Sequence, residues 1–340
     1  MFLQKSLEYI LLDVRGGCSV NSKDITFVFS GFGVEYSLGP LARYMKEHGF
    51  KVVELDMSKI ENINESLSSL KGEPIVYITS WHLFFDAKNF DFYYSTDKKV
   101  FSPLEIMDYL KPIKSYYYPH DIATFLHQEE WEWLDLFDAA LLPYKNNDYY
   151  FIKKYTKVYE VGWIKKWRAT KRREINKDKI KILYLPSNIA YHMKKYTIEQ
   201  YGEMYKELLS RCDAVKFPSW PGIEQLEYLV RENGGTIIEN EKTLFDVIED
   251  YDLVIATGAS GVVEEAYNAG WPVLSVLDDA LSEEEYKKMI PVRKEIYVYN
   301  LKDAIKFIDE IKSNKREIDG GVQRISDFDI NKVMQIILKR

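Results

Sequence analysis

Cysteine is scarce: Cys18 and Cys212 are the only two in 340 residues. That is too few for the disulfide framework of a secreted scaffold, and a reducing compartment is expected. No apolar run approaches the ~18–20 residues needed to cross a bilayer, and the opening MFLQKSLEYILLD lacks a signal-peptide layout. Basic charge is not in excess either. The net charge of −7 argues against a broad phosphate-binding face for nucleic acid. No His/Cys cluster has zinc-ligand spacing, and no Gly-x(4)-Gly-Lys-Ser/Thr phosphate loop occurs. A soluble cytoplasmic chain is the expectation.

What is present is ample core material. Hydrophobic residues make up 46% and charged residues 29% of the chain, which is enough for about two domains at ~150 residues each. Aromatics reach 15%, including 26 tyrosines, some clustered as in Tyr116-Tyr117-Tyr118. Tyrosine packs its ring and bonds through its hydroxyl, so such clusters suit cores as well as ligand platforms.

Strand and helix patterns alternate along the chain, the signature of α/β layers around parallel sheets. ITFVFS reads as a strand and is followed by the turn Gly31-Phe32-Gly33. Leu38, Leu41, Ala42 and Met45 then form one helical stripe, and FKVVELD is a second strand. Further strands are predicted at PIVYITS, KSYYYP, AALLPY and KVYEVGW. Residues 164–179, IKKWRATKRREINKDK, are basic and lack apolar periodicity, as expected of an exposed connector. Alternation then restarts with KIKILYLPS and runs through WPVLSVL to two final helical patterns, LKDAIKFIDEIKS and DINKVMQIILKR.

The strongest local signal is DLVIATGASGVVEEAYNAGWPVLSV, residues 252–276. A buried strand ends at Thr257, the small-residue turn Gly258-Ala259-Ser260-Gly261 follows, and a helix begins. Free N–H groups and the macrodipole at such a helix start favour an anion, and small residues let a diphosphate approach the backbone. Glu264 and Glu265 lie one turn in, where a carboxylate can accept two hydrogen bonds from a ribose diol. The plain alternative is an ordinary strand–helix connection with solvated glutamates.

This segment resembles the donor-binding region of nucleotide-sugar enzymes of the GT-B fold. It is similar to the Ser-Gly-x-x-x-Glu-x(4)-Gly-x-Pro pattern of UDP-sugar glycosyltransferases and of non-hydrolysing UDP-N-acetylglucosamine 2-epimerases. Aligned on Gly270 and Pro272, the resemblance puts the ribose-binding glutamate at Glu265 and the diphosphate turn at Ala259, Ser260 and Gly261. SGFGVEYSLGPLARYMKEHGFKVVELD likewise resembles the opening of GT-B enzymes, whose glycine loop, here Gly31 and Gly33, faces acceptor and phosphates. A tight turn is the alternative there. Residues 116–144, with KVYEVGWIK, resemble the CDP-glycerol glycerophosphotransferases. That resemblance implies His120 as the base, oriented by Asp121 or Glu129, and a neutral imidazole suits the task. The His-Pro pair of that family's C-terminal domain is absent, and Lys216-Phe217-Pro218 stands there instead. The Thr-Arg-Pro-Glu loop of the epimerases is absent too. Ser187 and Asn188 follow a strand and are candidates for donor contact, and Lys216 for neutralising phosphate charge.

The expected fold is therefore α/β, two Rossmann-like doubly wound domains facing across a cleft. The expected boundaries are 1–163 for the acceptor domain, 164–179 for the linker, 180–315 for the nucleotide-donor domain and 316–340 for a helix packing back on the first domain. The implied function is a metal-independent glycosyltransferase, with no cofactor beyond its nucleotide-diphosphate donor, a UDP-sugar. Implied partners are that donor and a hydroxyl acceptor (saccharide, polyol or lipid-linked), with no nucleic acid. Peripheral membrane contact and a homodimer are compatible with this reading. The alternatives are a nucleotide-sugar epimerase or hydrolase, a CDP-glycerol-type transferase, and a catalytically silent nucleotide-binding module.

Overall fold

The computed structural model describes residues 11–13, 19–21, 24–31, 34–57, 59–80, 101–120, 122, 132–143, 152–166, 170–172, 179–186, 195–217, 224–232, 234–239, 241–258, 261–277, 282, 296–298, 300–317 and 320–338. The chain packs into two units. One holds Met1–Asp121, Gln128–Arg168 and Ser326–Arg340; the other holds Ile122–His127 and Ala169–Ile325.

The first unit begins with a short antiparallel pair, β1 (Leu11–Asp13) and β2 (Ser19–Asn21). Its main sheet comprises β3 (Thr26–Gly31), β4 (Lys51–Asp56), β5 (Ile75–Thr79), β6 (Lys114–Tyr117), β7 (Ala139–Leu142) and β8 (Lys157–Glu160). All pairs are parallel, in the order β4-β3-β5-β6-β7-β8. β3, β5 and β7 are buried on both faces, as a parallel sheet between helical layers requires. The crossovers include α1 (Val34–Ser37), α2 (Gly39–Glu47), α3 (Ile63–Leu67) and α4 (Pro103–Leu110). In α2 the stripe Leu41, Ala42 and Met45 is buried while Arg43 is exposed. In α4 the Ser102 hydroxyl accepts from the Glu105 amide at 3.3 Å, and the Glu105 carboxylate accepts from the Ser102 amide at 2.9 Å. This reciprocal cap satisfies two otherwise orphaned donors.

The end of the chain joins this unit through main-chain bonds. The Trp163 amide donates to Ser326 O at 3.0 Å, Phe328 to Lys166 O at 2.7 Å, and Asp329 to Val161 O at 2.8 Å. The buried Tyr118 hydroxyl donates to Gly162 O at 3.0 Å and accepts from the Ile164 amide at 2.7 Å. Ile164 and Lys166 are buried, and Lys166 is ion-paired with Asp327. The start of the basic stretch is thus not the exposed connector its composition suggests. The charge run is interrupted by groups with tertiary partners.

The second unit carries β9 (Ile182–Leu185), β10 (Ala214–Val215), β11 (Thr236–Ile237), β12 (Leu253–Thr257), β13 (Val273–Val276) and β14 (Tyr297–Val298). These are also all parallel, in the order β11-β10-β9-β12-β13-β14. Numbered within the unit, the order is 3-2-1-4-5-6, that of a doubly wound dinucleotide-type sheet. α5 (Ile198–Leu209) and α6 (Glu224–Glu232) connect β9, β10 and β11. α7 (Leu244–Val247) leads back to β12, α8 (Gly261–Asn268) joins β12 to β13, and α9 (Leu301–Lys312) follows β14. One core cluster packs Tyr201, Tyr205 and Leu208 of α5, Leu226 and Leu229 of α6 and Ile308 of α9 against Ile182, Tyr184 and Ile255 of the sheet. The final helix α10 (Ile330–Leu338) belongs to the first unit and buries Val333, Met334, Ile337 and Leu338. The Tyr116 hydroxyl donates to Ile336 O at 3.3 Å. Among the described residues no helix is long and apolar enough to cross a membrane.

Gly162 has φ +82°, and a Cβ there would run into the Asp327 carbonyl. Gly162→Ala is therefore expected to destabilise the first unit by about 3 kcal/mol, measured by urea unfolding. A change below about 0.5 kcal/mol would show that the 326–329 segment is not seated on Gly162.

Candidate functional site

In the second unit the chain leaves β9 toward one edge of the sheet and β12 toward the other. In an open α/β sheet, ligands bind beyond the carboxyl ends of the strands where the order reverses. The residues after β9 include Ser187 and Asn188, which lie outside the described residues, as do Ala259 and Ser260 after β12. Gly258 and the helix starting at Gly261 are described.

Gly258 has φ +77°, a conformation glycine adopts without cost. Its amide donates to Val276 O at 2.7 Å, and its carbonyl accepts from the Ser275 hydroxyl at 2.5 Å, so the turn is tied to β13. Beneath it, the Tyr184 hydroxyl lies 3.4 Å from the Thr257 hydroxyl and 3.3 Å from that of Tyr201. Burial, then the neighbouring Tyr201, holds the Tyr184 phenol well above its ordinary value, so this network is neutral.

Gly261 and Val262 are half-buried, whereas Val263 through Ala269 are buried. The accessible residues of α8 are its first two, at the positive end of the helix dipole. Glu264 and Glu265 are 0% and 3% exposed, so they are not the solvated glutamates of an ordinary connection. The Glu264 carboxylate accepts from the Asn268 side-chain amide at 2.9 Å, and the same amide also donates to Glu264 O at 2.8 Å. Asn268 was not singled out from sequence, although its i, i+4 spacing from Glu264 is legible on a helix.

The Gly-Trp-Pro that anchors the motif has a structural role. Gly270 has φ +93°, its amide donates to Tyr267 O at 3.1 Å, and the Trp271 amide reaches Ala266 O at 3.1 Å. This is a Schellman-type helix end. Trp271 is buried and donates its indole N–H to Tyr251 O at 3.3 Å.

Lys216, at the carboxyl end of β10, is half-buried with its ammonium 3.5 Å from Glu239 O beyond β11. In the strand order that is the side away from β12, and the structure does not bring Lys216 to α8.

In the first unit, Gly31 ends β3 where a Cβ would meet the Ser80 hydroxyl and, at 3.1 Å, that of Ser37. Those two hydroxyls are 2.7 Å apart. The close approach explains the glycine by packing. Just below, the Ser30 hydroxyl bonds Tyr77 at 2.5 Å and Thr79 at 2.8 Å, and burial pushes the Tyr77 phenol up to about 12. His120 is half-buried, three residues past the end of β6. Gly31 and His120 thus follow the carboxyl ends of β3 and β6, with β5 between them in the sheet. Gly33, Asp121, His127 and Glu129 lie outside the described residues. Among the described residues no three His, Cys, Asp or Glu side chains form a metal-binding group.

No known protein family matches the sequence, and no curated protein does. The chain is similar to the crystal structure of Acinetobacter baumannii MurG at 12% identity and a TM-score of 0.40, covering 93% of this chain and 99% of that one. It is also similar to a putative aspartate carbamoyltransferase of Leishmania major Friedlin at 11% identity and a TM-score of 0.18, covering 92% and 86%. Likeness at this level carries no functional argument.

Proposed function

We propose that the protein is a glycosyltransferase of the GT-B type, taking a sugar from a nucleotide-diphosphate donor to a hydroxyl acceptor. The observation that carries this reading is the β12–α8 unit. A left-handed glycine and an accessible helix start stand where the strand order reverses, with Glu265 one turn in. The resemblance of residues 260–272 to a nucleotide-sugar donor pattern supports it. In this reading Gly258, Ala259, Ser260 and Gly261 hold the diphosphate and Glu265 accepts from the ribose hydroxyls. Ser187 and Asn188 contribute from the loop after β9.

The acceptor belongs to the first unit, near Gly31, Gly33 and His120. His120, oriented by Asp121, takes the proton of the acceptor hydroxyl as its oxygen attacks the anomeric carbon. The bond from that carbon to the diphosphate oxygen breaks. The departing charge is stabilised by the dipole of α8.

A thermal-shift panel of UDP, GDP, CDP, ADP and TDP is expected to show selective stabilisation by one of them, since a ligand of the native state raises the midpoint by mass action. Glu265→Ala is expected to weaken that nucleotide about 10- to 100-fold, the loss of hydrogen bonds to a charged group. Full retained affinity would remove the donor assignment.

His120→Ala is expected to lower transfer by about 10²- to 10⁴-fold with nucleotide affinity unchanged, measured with the matching nucleotide sugar and a panel of hydroxyl acceptors. Binding without turnover in the wild type would instead identify a silent module. Turnover of the donor without acceptor would identify an epimerase or hydrolase.

A further inference from the structure

We infer that the amino edge of the first sheet, along β6, β7 and β8, is a surface for an anionic lipid bilayer, with Leu136 as its apolar anchor. The inference goes beyond the transfer reading and needs neither its donor nor its acceptor.

Parallel strands put their first residues along one edge, opposite the edge where ligands of such sheets bind. On that edge Lys114 opens β6 and Lys157 opens β8. Lys111 closes α4 ahead of β6, and Lys153 and Lys154 end the short 3-10 helix Ile152–Lys154 ahead of β8. Lys111, Lys153, Lys154 and Lys157 are exposed, and none has a carboxylate partner among the described residues. Lys114 is half-buried. Burial lowers its ammonium below the ordinary value, Asp138 opposes that shift and Lys157 adds to it, as neighbouring groups do. The described carboxylates just before β7 are Asp135 and Asp138. Asp138 is already engaged, accepting from the Ser115 amide at 2.8 Å and the Ser115 hydroxyl at 3.3 Å. At the β4 end of the same edge, by contrast, Lys51 is neutralised by Glu73 at 2.5 Å. The chain as a whole carries −7, so attraction to an anionic surface requires a local excess of this kind.

Leu136, Tyr228 and Val322 are the exposed large apolar side chains among the described residues, and Leu136, at 46%, is the one in the first unit. It ends the 3-10 helix Glu132–Leu136 shortly before β7, so it stands at the same edge. The Thr156 hydroxyl donates to Phe137 O at 2.8 Å, which ties the neighbour of Leu136 to the lysine stretch. At a bilayer such a leucine enters the acyl boundary while the ammonium groups stay with the headgroups. A nucleic acid backbone offers charge with no apolar layer, so the combination favours lipid.

The test floats the whole chain with vesicles of phosphatidylcholine alone or with about one-third phosphatidylglycerol. In about 0.1 M salt it is expected to bind the anionic vesicles at least ~10-fold more tightly than the neutral ones, and to lose most of that preference in about 1 M salt. Lys153→Gln with Lys154→Gln is expected to weaken binding about 25-fold, at about fivefold per lysine. The equal charge loss Lys302→Gln with Lys315→Gln, at exposed positions of the second unit, is expected to change it by less than about threefold. Leu136→Ser is expected to weaken vesicle binding about fivefold and to leave binding to heparin, a soluble polyanion, unchanged. All five positions are exposed, and an unchanged thermal midpoint checks that each variant is folded. A wild type without preference for anionic vesicles, or equal losses for the two lysine pairs, would overturn the inference. Vesicle binding that survives Leu136→Ser intact would mark the edge as a site for soluble polyanions and overturn the lipid assignment.

Discussion

A helix buried along most of its length while carrying two carboxylates sets the terms for everything near it. A charge in a protein interior is costly unless bonded, so α8 is stable only with its polar groups answered. The Asn268 amide answers one oxygen of the Glu264 carboxylate from one turn away, and the main chain of residues 322–325 donates to carbonyls at the helix end. Gly261 and Val262 at its start, by contrast, are half-buried. That asymmetry between a sealed C-terminal end and an accessible N-terminal end gives the donor reading its physical content.

Both sheets prepare their carboxyl edges in a similar way. Under β12 a trio of hydroxyls from Tyr184, Tyr201 and Thr257 fills the interior, and in the first unit Ser30, Tyr77 and Thr79 do the same. These groups stay neutral, since burial holds the Tyr184 and Tyr77 phenols above their ordinary range. Hydroxyl networks satisfy one another without placing net charge beneath a ligand.

Much of the architecture was legible in the sequence because its signals are local. Runs such as IVYIT and LVIAT are β-branched and apolar, and both are fully buried strands. The stripe Leu41, Ala42, Met45 declares a helix with one core-facing side. Very short elements carry no such signal. β14 is a two-residue strand defined by pairing with β13, and β1 and β2 span three residues each. α4, by contrast, is marked in the sequence by its capping box at Ser102 and Glu105.

The residue types of the candidate site are legible in the sequence, and their environment is not. Paired glutamates on a helix look the same in sequence whether they face water or the interior, and no local feature encodes the burial of Glu264 and Glu265. Basic residues after Trp163 read as a solvated run, yet Lys166 is buried because Asp327, far along the chain, meets it.

The crossing of Gly321 over the end of α8 bears on how the protein may be divided. A fragment of the second unit that stopped after α9 would strip the Val322 donor from the Tyr267 carbonyl and the Arg324 and Ile325 donors from that of Asn268, and would remove the close backbone pass of Gly321 at the Trp271 carbonyl. An excised piece meant to fold alone must therefore run through Ile325, well beyond the last strand and helix of its own sheet.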